Sequence, residues 1–451
     1  MNDPLDRLGT SLRNSQMLRL LSVGFLALLL QIPIAMIGGR VTERQERRDQ
    51  AVAEVASKWG GTQSITGPAL VVPYTHRWTE RAASADPIER SELRYAIFLP
   101  EQLSVRGTVD SERRSRGIFA IPVYQLGMTI SGEFARPNPA ELGIEPSTVA
   151  WDRAQLAIGV SDVRAIQHEN EVSWNGRSIS FLPGTGEFSE GGPGIHAVVG
   201  VAEGAERIAF SFPLALNGSR GVYFTPFGRT TEVDLASDYA HPSFQGNWLP
   251  AERTVSDASF TAKWSIPYLG RNYPQSWKSD ASFHEAIAGS RFGVELIDPV
   301  DQYRMAERSV KYAGLFILLT FAAVWLIEVL AGVRVHPIQY LLLGSALCLF
   351  YLLELSLSEH IGFFFAYATA SVSVIALVAG YCSVVLRRRS RAGIVATGVA
   401  LLYAYLYTLL MNEDYALLAG SIGLFAILAA IMYATRRVDW YAVGAPRTES
   451  P

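Results

Sequence analysis

The sequence predicts a membrane protein of mixed α and all-β class. Six transmembrane helices carry one large antiparallel, β-sandwich-like domain, which is inserted between the first helix and the second. Apolar residues make up 49% of the 451 residues, and they are concentrated in runs that can each cross a hydrocarbon core of about 30 Å as a helix. The long segment between the first two runs alternates with a period of two instead, which is typical of strands. The runs cover residues 20–37, 312–331, 338–357, 361–386, 392–411 and 415–434.

The N-terminal part is predicted to contain a polar tail, a membrane anchor and a helical stalk. Residues 1–19 form the tail, and the apolar run at 20–37 is longer than the core of a usual signal peptide, so we interpret it as an uncleaved anchor. Pro33 should kink this helix, because proline cannot donate a backbone hydrogen bond. Residues 38–61 continue with a helical spacing of apolar positions, and the glycine pair that begins at Gly60 is a typical helix end.

The β domain is predicted to occupy residues 62–311. Segments such as 207–212 are rich in alternating apolar residues, and turn residues separate them. Two Asn-Gly pairs, at 175–176 and 217–218, are expected to form type I′ hairpin turns. A short helix is expected near residues 281–288. The domain has no cysteine, so it must be stabilised by its own core without disulfides.

The distribution of arginine predicts the orientation of the bundle at 312–434. Outside residues 38–311 the chain has 11 arginines and no lysine, and the largest group lies in the turn at 387–391. By the positive-inside rule, the tails at 1–19 and 435–451 are therefore cytoplasmic, and residues 38–311 lie on the other side. Four arginines after the first span disagree with this assignment, although acidic residues alternate with them. They are Arg40, Arg44, Arg47 and Arg48.

Ionisable side chains within or beside the spans are candidate functional residues, because a charge in hydrocarbon costs about 2.5–3.5 kcal/mol even on insertion scales. One predicted cluster lies at the outer end of the bundle and contains Arg308, Lys311, Glu354, Glu359, His360, Glu413 and Asp414. At the inner end, Glu328 and Arg334 are a candidate ion pair. The outer cluster could be a proton- or cation-linked site, or it could consist of ion pairs that seat the β domain, with Lys311 as a candidate partner of Glu354. We favour the structural interpretation, because none of these groups is predicted at mid-membrane.

The sequence contains no recognisable motif for catalysis, cofactor binding or metal binding. Glycines at 184–186 and 191–194 are not followed by the Lys-Ser/Thr of a phosphate-binding loop, and His284-Glu285 lacks the second histidine of a zinc-binding helix. The formal net charge is −3, and no basic stripe indicates nucleic-acid binding. We therefore expect a protein that is not an enzyme, has no cofactor and does not bind nucleic acid.

Several short blocks, taken in order, are characteristic of a known family. They are Asn247–Pro250 with Arg253, Pro299–Tyr303, Lys311–Ala313, His336–Tyr340, Phe350–Leu353, Leu357–Phe363, Glu413–Leu418 and Asp439–Tyr441. In these blocks the chain resembles the CreD family of bacterial inner-membrane proteins over nearly its whole length. The resemblance implies a Gram-negative inner-membrane protein linked to envelope stress, colicin tolerance and a two-component regulon that responds to cell-wall damage or carbon source. It implies no reaction or ligand. At Glu354 the chain departs from the family pattern, which often has an apolar residue there.

From these observations we expect a non-enzymatic, multi-pass protein of the bacterial inner membrane that supports cell envelope integrity. Residues 38–311 would lie in the periplasm and bind or brace an unknown envelope component, while the lipid bilayer surrounds the helices. Two alternatives remain open at this point: a proton- or cation-linked transporter, and a periplasmic ligand sensor that acts through a partner. The sequence does not indicate the oligomeric state.

Overall fold

The computed structural model describes residues 16–80, 88–188, 192–202, 204–297, 301–331, 333, 335–412 and 415–436. The chain divides into two compact units, a helical unit (1–49 with 300–451) and a β unit (50–299).

The helical unit contains the apolar helices that the sequence predicts. Within the described residues, six helices are long and apolar enough to cross a membrane, counting Leu20–Trp59 as one. The first is interrupted at Leu30, where Pro33 cannot donate a hydrogen bond to the carbonyl one turn earlier. The long helices of the chain are α1 (Gln16–Leu29), α2 (Gln31–Trp59), α4 (Gln302–Ala331), α5 (Pro337–Ile361), α6 (Phe363–Val385), α7 (Arg389–Met411) and α8 (Ala416–Thr435).

Two predicted boundaries in this unit are wrong. The β domain was expected to continue to residue 311, but α4 begins at Gln302, because Asp301 accepts the backbone N–H groups of Tyr303 and Arg304 and caps the helix. The second boundary is the turn expected at 358–360. Helix α5 continues through that polar segment and ends before Gly362, whose φ of 77° lies in the left-handed region that suits glycine.

The β unit is a sandwich of two sheets. The first sheet has the order β13-β17-β11-β1-β5-β9-β8, with β2 pairing β1 and β16, and the second has the order β14-β15-β12-β3-β4-β10-β6-β7. In β15, Phe260, Ala262, Trp264 and Ile266 are buried and the residues between them are exposed. This alternation is repeated in β10 and β12 of the same sheet, so the second sheet turns one face to an apolar core that it shares with the first.

The strands and the one short helix of this unit have the following bounds: β1 Gln63–Glu80, β2 Ile88–Phe98, β3 Gln102–Arg116, β4 Phe119–Ala135, β5 Gln155–Val160, β6 Glu171–Trp174, β7 Arg177–Ser180, β8 Leu182–Pro183, β9 Gly194–Val198, β10 Arg207–Ser219, β11 Gly221–Phe224, β12 Thr230–Ser237, β13 Pro242–Gly246, β14 Glu252–Val255, β15 Phe260–Pro267, β16 Ser276–Lys278, α3 His284–Gly289 and β17 Phe292–Leu296. The short helix lies where the sequence predicts one.

The prediction of a purely antiparallel domain needs correction, because the sheets are mixed. Strand β1 pairs with β11 in parallel, and β3 pairs with β12 in parallel, while the remaining named pairs are antiparallel. Side chains alternate between the two faces of a strand in either arrangement. The period of two therefore predicts strands and a buried face, but it carries no information about strand direction.

Only one of the two Asn-Gly turns is confirmed. Asn175 and Gly176 have φ values of 48° and 80° and join β6 to β7, as a type I′ turn requires. Asn217 and Gly218 lie inside β10 instead, in register with β4. Glycine is needed at 218 because a Cβ there would lie 2.3 Å from the ring of Tyr124.

The stalk prediction is confirmed as local structure. Helix α2 runs without a break through residues 38–59, and Gly60 ends it with a φ of 136°. The last turns of α2 belong to the β unit, where the Arg114 guanidinium lies 3.4 Å from the ring centroid of Trp59 and Arg116 forms an ion pair with Glu54.

Candidate functional site

Helices α4 and α5 form an antiparallel hairpin that is joined by hydrogen bonds between side chains at three levels. They run from Tyr303 Oη to Glu359 (3.0 Å), from Ser309 Oγ to Glu354 (2.7 Å) and from Tyr340 Oη to Glu328 (3.0 Å). We call these three contacts the rungs. At a rise of about 1.5 Å per residue, the second and third rungs are about 28 Å apart along α4, close to the thickness of a hydrocarbon core. Each rung uses a carboxyl group and a neutral hydroxyl.

The first rung belongs to a larger polar group, the end cluster, defined as Arg44, Arg48, Asp301, Tyr303 and Glu359. Arg48 lies 2.8 Å from Asp301, and Arg44 lies 3.7 Å from Glu359. The side chain of Glu359 is only 7% exposed, although it is two residues from the end of α5. These contacts hold α2 against the α4–α5 hairpin.

Arg308 contacts the end of another helix. Its guanidinium donates to the carbonyl oxygens of Leu409 (2.9 Å) and Leu410 (3.2 Å), in the last turn of α7. A cation at a helix C-terminus satisfies unpaired carbonyls and interacts favourably with the helix dipole. Arg308 therefore connects α4 to α7.

Two further described members of the predicted outer cluster, Lys311 and His360, lie at the surface. The expected pairing of Lys311 with Glu354 is wrong, because Lys311 is exposed and forms an ion pair with Glu307 at 2.8 Å. His360 is exposed. Glu413 and Asp414 lie outside the described residues.

Glu354 is a buried carboxyl group, and no cation among the described residues lies within 4 Å of it. It is 1% exposed, and its Oε2 accepts the bond from Ser309. The other oxygen, Oε1, has no hydrogen-bond partner in the described part of the chain. The phenols of Tyr351, Tyr367 and Tyr403 lie within electrostatic range of it. The expectation of an ion-paired carboxylate is therefore not met at Glu354.

The third rung is positioned by the start of α5. His336 accepts the backbone N–H of Ile338 (3.3 Å), Gln339 accepts the N–H of His336 (2.9 Å), and Pro337 follows the cap. This reciprocal cap fixes the first turn of α5, which carries Tyr340 to Glu328. The predicted partner of Glu328, Arg334, lies outside the described residues.

Comparison with known proteins establishes the family. The family model described as "Inner membrane protein CreD" matches residues 15–441. The chain belongs to the CreD family. One relative, "Inner membrane protein CreD" of Escherichia coli (strain K12), is 33% identical over 428 residues, which are 94% of this chain and 93% of the relative. Together with the six apolar helices, this makes the chain a multi-pass inner-membrane protein.

Three of the blocks that carry the CreD resemblance supply contacts of the α4–α5 hairpin. The block ending at Tyr303 supplies the cap of α4 and the first rung. The block at 336–340 supplies the cap of α5 and the third rung. The block at 357–363 supplies Glu359 and the glycine that ends α5. Three separate blocks of this CreD family member therefore meet in one helical hairpin.

Several functional contacts were missed by sequence reasoning. In the sequence, Arg44 and Arg48 only disagree with the positive-inside rule. Their spacing of four residues places them on one helix face, and this spacing is the signal that predicts a shared partner surface. Ser309, Tyr303 and Tyr340 carry no such signal, because hydroxyl groups are common in helices.

The β unit offers shallow surface grooves to a ligand. The larger has a volume of about 350 Å³ and lies on the open face of the second sheet, where its lining includes Arg106, Thr108, Thr129 and Asp234. The described residues contain no group of three or more His, Cys, Asp or Glu side chains that could hold a metal ion.

Proposed function

We propose that this CreD family member supports cell envelope integrity from the inner membrane as a non-enzymatic protein, and that it contributes to the envelope stress response and to colicin tolerance. Its β unit lies in the periplasm, where it binds or braces an envelope component. Both termini are cytoplasmic, and lipid surrounds the bundle.

This proposal rests on one observation: the polar side chains of the helical unit mainly join one helix to another. Arg48 and Arg44 join α2 to the hairpin, Arg308 caps α7, and two of the three rungs lie at the ends of the hairpin. These contacts hold helices together, which is the requirement of a scaffold that anchors a large domain. Polar side chains that connect helices favour an anchoring role over a catalytic or transport role.

The orientation is supported by the same contacts. Arg44 and Arg48 are paired with carboxylates, and Arg40 and Arg47 both pair with Glu43, so this group carries little uncompensated charge. In the segment 387–389 the arginines are exposed, and no carboxylate in the described residues lies within 4 Å of them. Uncompensated arginine next to a span favours the cytoplasmic side.

Thiol labelling tests the orientation. In a background that lacks Cys348 and Cys382, single cysteines at Ser115 and Asp280 are expected to react with an impermeant reagent in intact spheroplasts, since both positions are exposed in the β unit. A cysteine at Ser390 is expected to react only after permeabilisation. Reaction at Ser390 in intact spheroplasts would show the reverse orientation.

Complementation tests the function. A host strain that lacks the gene is expected to become more sensitive to detergent and to have altered colicin tolerance, and the wild-type chain should restore both properties. The Glu354→Gln variant should restore them equally when its membrane level is the same. An unchanged envelope in the deletion strain would refute the proposal.

A proton- or cation-linked transporter remains the second candidate, and one observation favours it. Glu354 is a buried carboxyl group with one oxygen unpaired in the described residues, which is unusual for a purely structural acid. Failure of Glu354→Gln to restore the envelope, at unchanged protein level, would favour the transporter over the scaffold.

A further inference from the structure

The electrostatic situation of Glu354 differs from that of Glu359 and Asp301, the two carboxyl groups of the end cluster. Glu359 has Arg44 beside it and Asp301 has Arg48. Glu354 has one serine hydroxyl as its hydrogen-bond donor, and within the described part of the helical unit no cation lies within 4 Å of it. An ionised carboxylate at such a place would lose its hydration without a compensating charge.

Groups on the neighbouring helices do not supply that charge. Helix α4 provides Ser309, α6 provides the phenol of Tyr367, and α7 provides that of Tyr403, while Tyr351 lies one turn earlier on α5 itself. The two cations of α4 near this level are engaged elsewhere, since Arg308 caps α7 and Lys311 pairs with Glu307. Leu30, which lies between α1 and α2, meets α5 at Gly344, about three turns from Glu354.

We propose that Ser309 and Glu354 form a proton-binding site, in which Glu354 is held inside the bundle as a neutral carboxylic acid. The Ser309 hydroxyl donates to Oε2, so the proton resides on Oε1. The occupant of the site is a proton and not a metal ion, because a single hydroxyl contacts the carboxyl group and the described titratable groups within electrostatic range of it are neutral phenols. The proposal goes beyond the scaffold function and does not depend on it.

The site exchanges its proton with one side of the membrane. Ser309 is seven residues from the start of α4, and Glu354 is seven residues from the end of α5, so both lie about 10 Å from the same end of the hairpin. Toward the other end, the buried face of α4 between Ser309 and Glu328 is apolar apart from Thr320, whose hydroxyl bonds to its own helix. The site is therefore close to one membrane surface and is separated from the other by apolar residues. This arrangement suits a site that responds to pH on one side, and it does not suit a path for protons across the membrane.

Modification by dicyclohexylcarbodiimide tests the proposal, because this apolar reagent adds to protonated carboxyl groups. The full chain is purified in detergent and treated over a range of pH, and the modified residues are identified by mass spectrometry. We expect modification at Glu354 at neutral pH, with loss of modification at alkaline pH and no change when Na⁺ replaces choline. Glu359 is the internal control, since Arg44 lies beside it and it should remain unmodified. The Glu354→Gln variant must lose the signal.

A second measurement does not depend on access of the reagent. The infrared difference spectrum between wild type and Glu354→Gln should contain the C=O stretch of a protonated carboxylic acid at neutral pH. Absence of that band, in protein that elutes as a folded species, would overturn the proposal, as would protection of Glu354 by Na⁺ but not by choline. Ser309→Ala should keep the band and shift its frequency, because the hydrogen bond to Oε2 is lost.

Discussion

Gly218→Ala tests whether the fold of the β unit depends on a close contact inside the second sheet. Gly218 lies in β10 opposite Tyr124 of β4, and an added Cβ would lie 2.3 Å from Tyr124 Cζ and Oη. Carbon atoms in contact are normally about 3.5–4.0 Å apart, so the ring must move by more than about 1 Å. Tyr124 is fully buried and donates to the carbonyl of Gly221 at 2.7 Å, so it has no free volume to enter.

The expected cost follows from two terms. Overpacking a core costs about 1–3 kcal/mol, and loss of the Tyr124 hydrogen bond costs about 1 kcal/mol. The reduced entropy of the unfolded chain returns about 0.4–1 kcal/mol, because alanine has fewer backbone conformations than glycine. The net destabilisation is about 1–3.5 kcal/mol, which corresponds to a fall in Tm of roughly 2–14 °C for a domain of this size.

Gly127→Ala is the matched control. Gly127 lies in β4, next to β10, and a Cβ there would have only Thr108 Oγ1 near it, at 3.9 Å. This substitution should leave Tm unchanged or raise it slightly. The assay is thermal unfolding of the full chain in detergent, followed by the β signal in circular dichroism. Equal melting of the two variants, or a Gly218→Ala protein as stable as wild type, would refute the argument.

Two further substitutions test other contacts. Arg271→Met should lower the free energy of unfolding of the β unit by about 1–3 kcal/mol in urea. The buried guanidinium donates to the carbonyls of Pro226 and Phe227 at 2.8 and 2.7 Å, and the substitution takes this donor from Phe227, whereas Pro226 keeps the hydroxyl of Tyr273. A loss below about 1 kcal/mol would contradict that role. Tyr303→Phe should destabilise the helical unit by about 1–2 kcal/mol through loss of the bond to Glu359, as measured by thermal unfolding. Tyr415→Phe is its control, since Tyr415 is 66% exposed and should have no effect.

The helices of the bundle could be predicted from the sequence because their signal is local. Runs of about 20 apolar residues predict spans without any knowledge of the neighbours. Their ends were less predictable. The segment 302–311 is amphipathic and charged, and only the burial of Tyr303, Ala306 and Val310 against other helices makes it part of α4. A similar limit applies at 358–360, where polar residues that look like a turn continue α5 because Ser358 and Glu359 are buried within the bundle.

The polar contacts could be predicted only in part. The sequence indicates that acids near span ends matter, but it favours opposite charges as their partners. At Glu354 the structure has instead the hydroxyl of Ser309, 45 positions away along the chain. A serine or tyrosine within a helix has no feature that marks it as a partner, so such pairs follow from packing alone. The mixed sheets were not predictable for a similar reason. The relative direction of two strands depends on how the chain connects them, and the sequence pattern within each strand does not show this.

A hydroxyl is a more favourable partner than a cation for a carboxyl group that lies within the hydrocarbon core. An ion pair inside hydrocarbon requires two charges to lose their hydration, and their attraction does not always compensate for that loss. A neutral acid with a hydroxyl avoids the penalty and still joins two helices with one directional bond. In the helical unit, the charged pairs Arg48–Asp301 and Arg44–Glu359 lie at the end of the hairpin, whereas Glu354 lies further in and has Ser309. The change from charged to neutral partners with depth is therefore the arrangement expected if α4 and α5 cross the bilayer together and if Glu354 carries a proton.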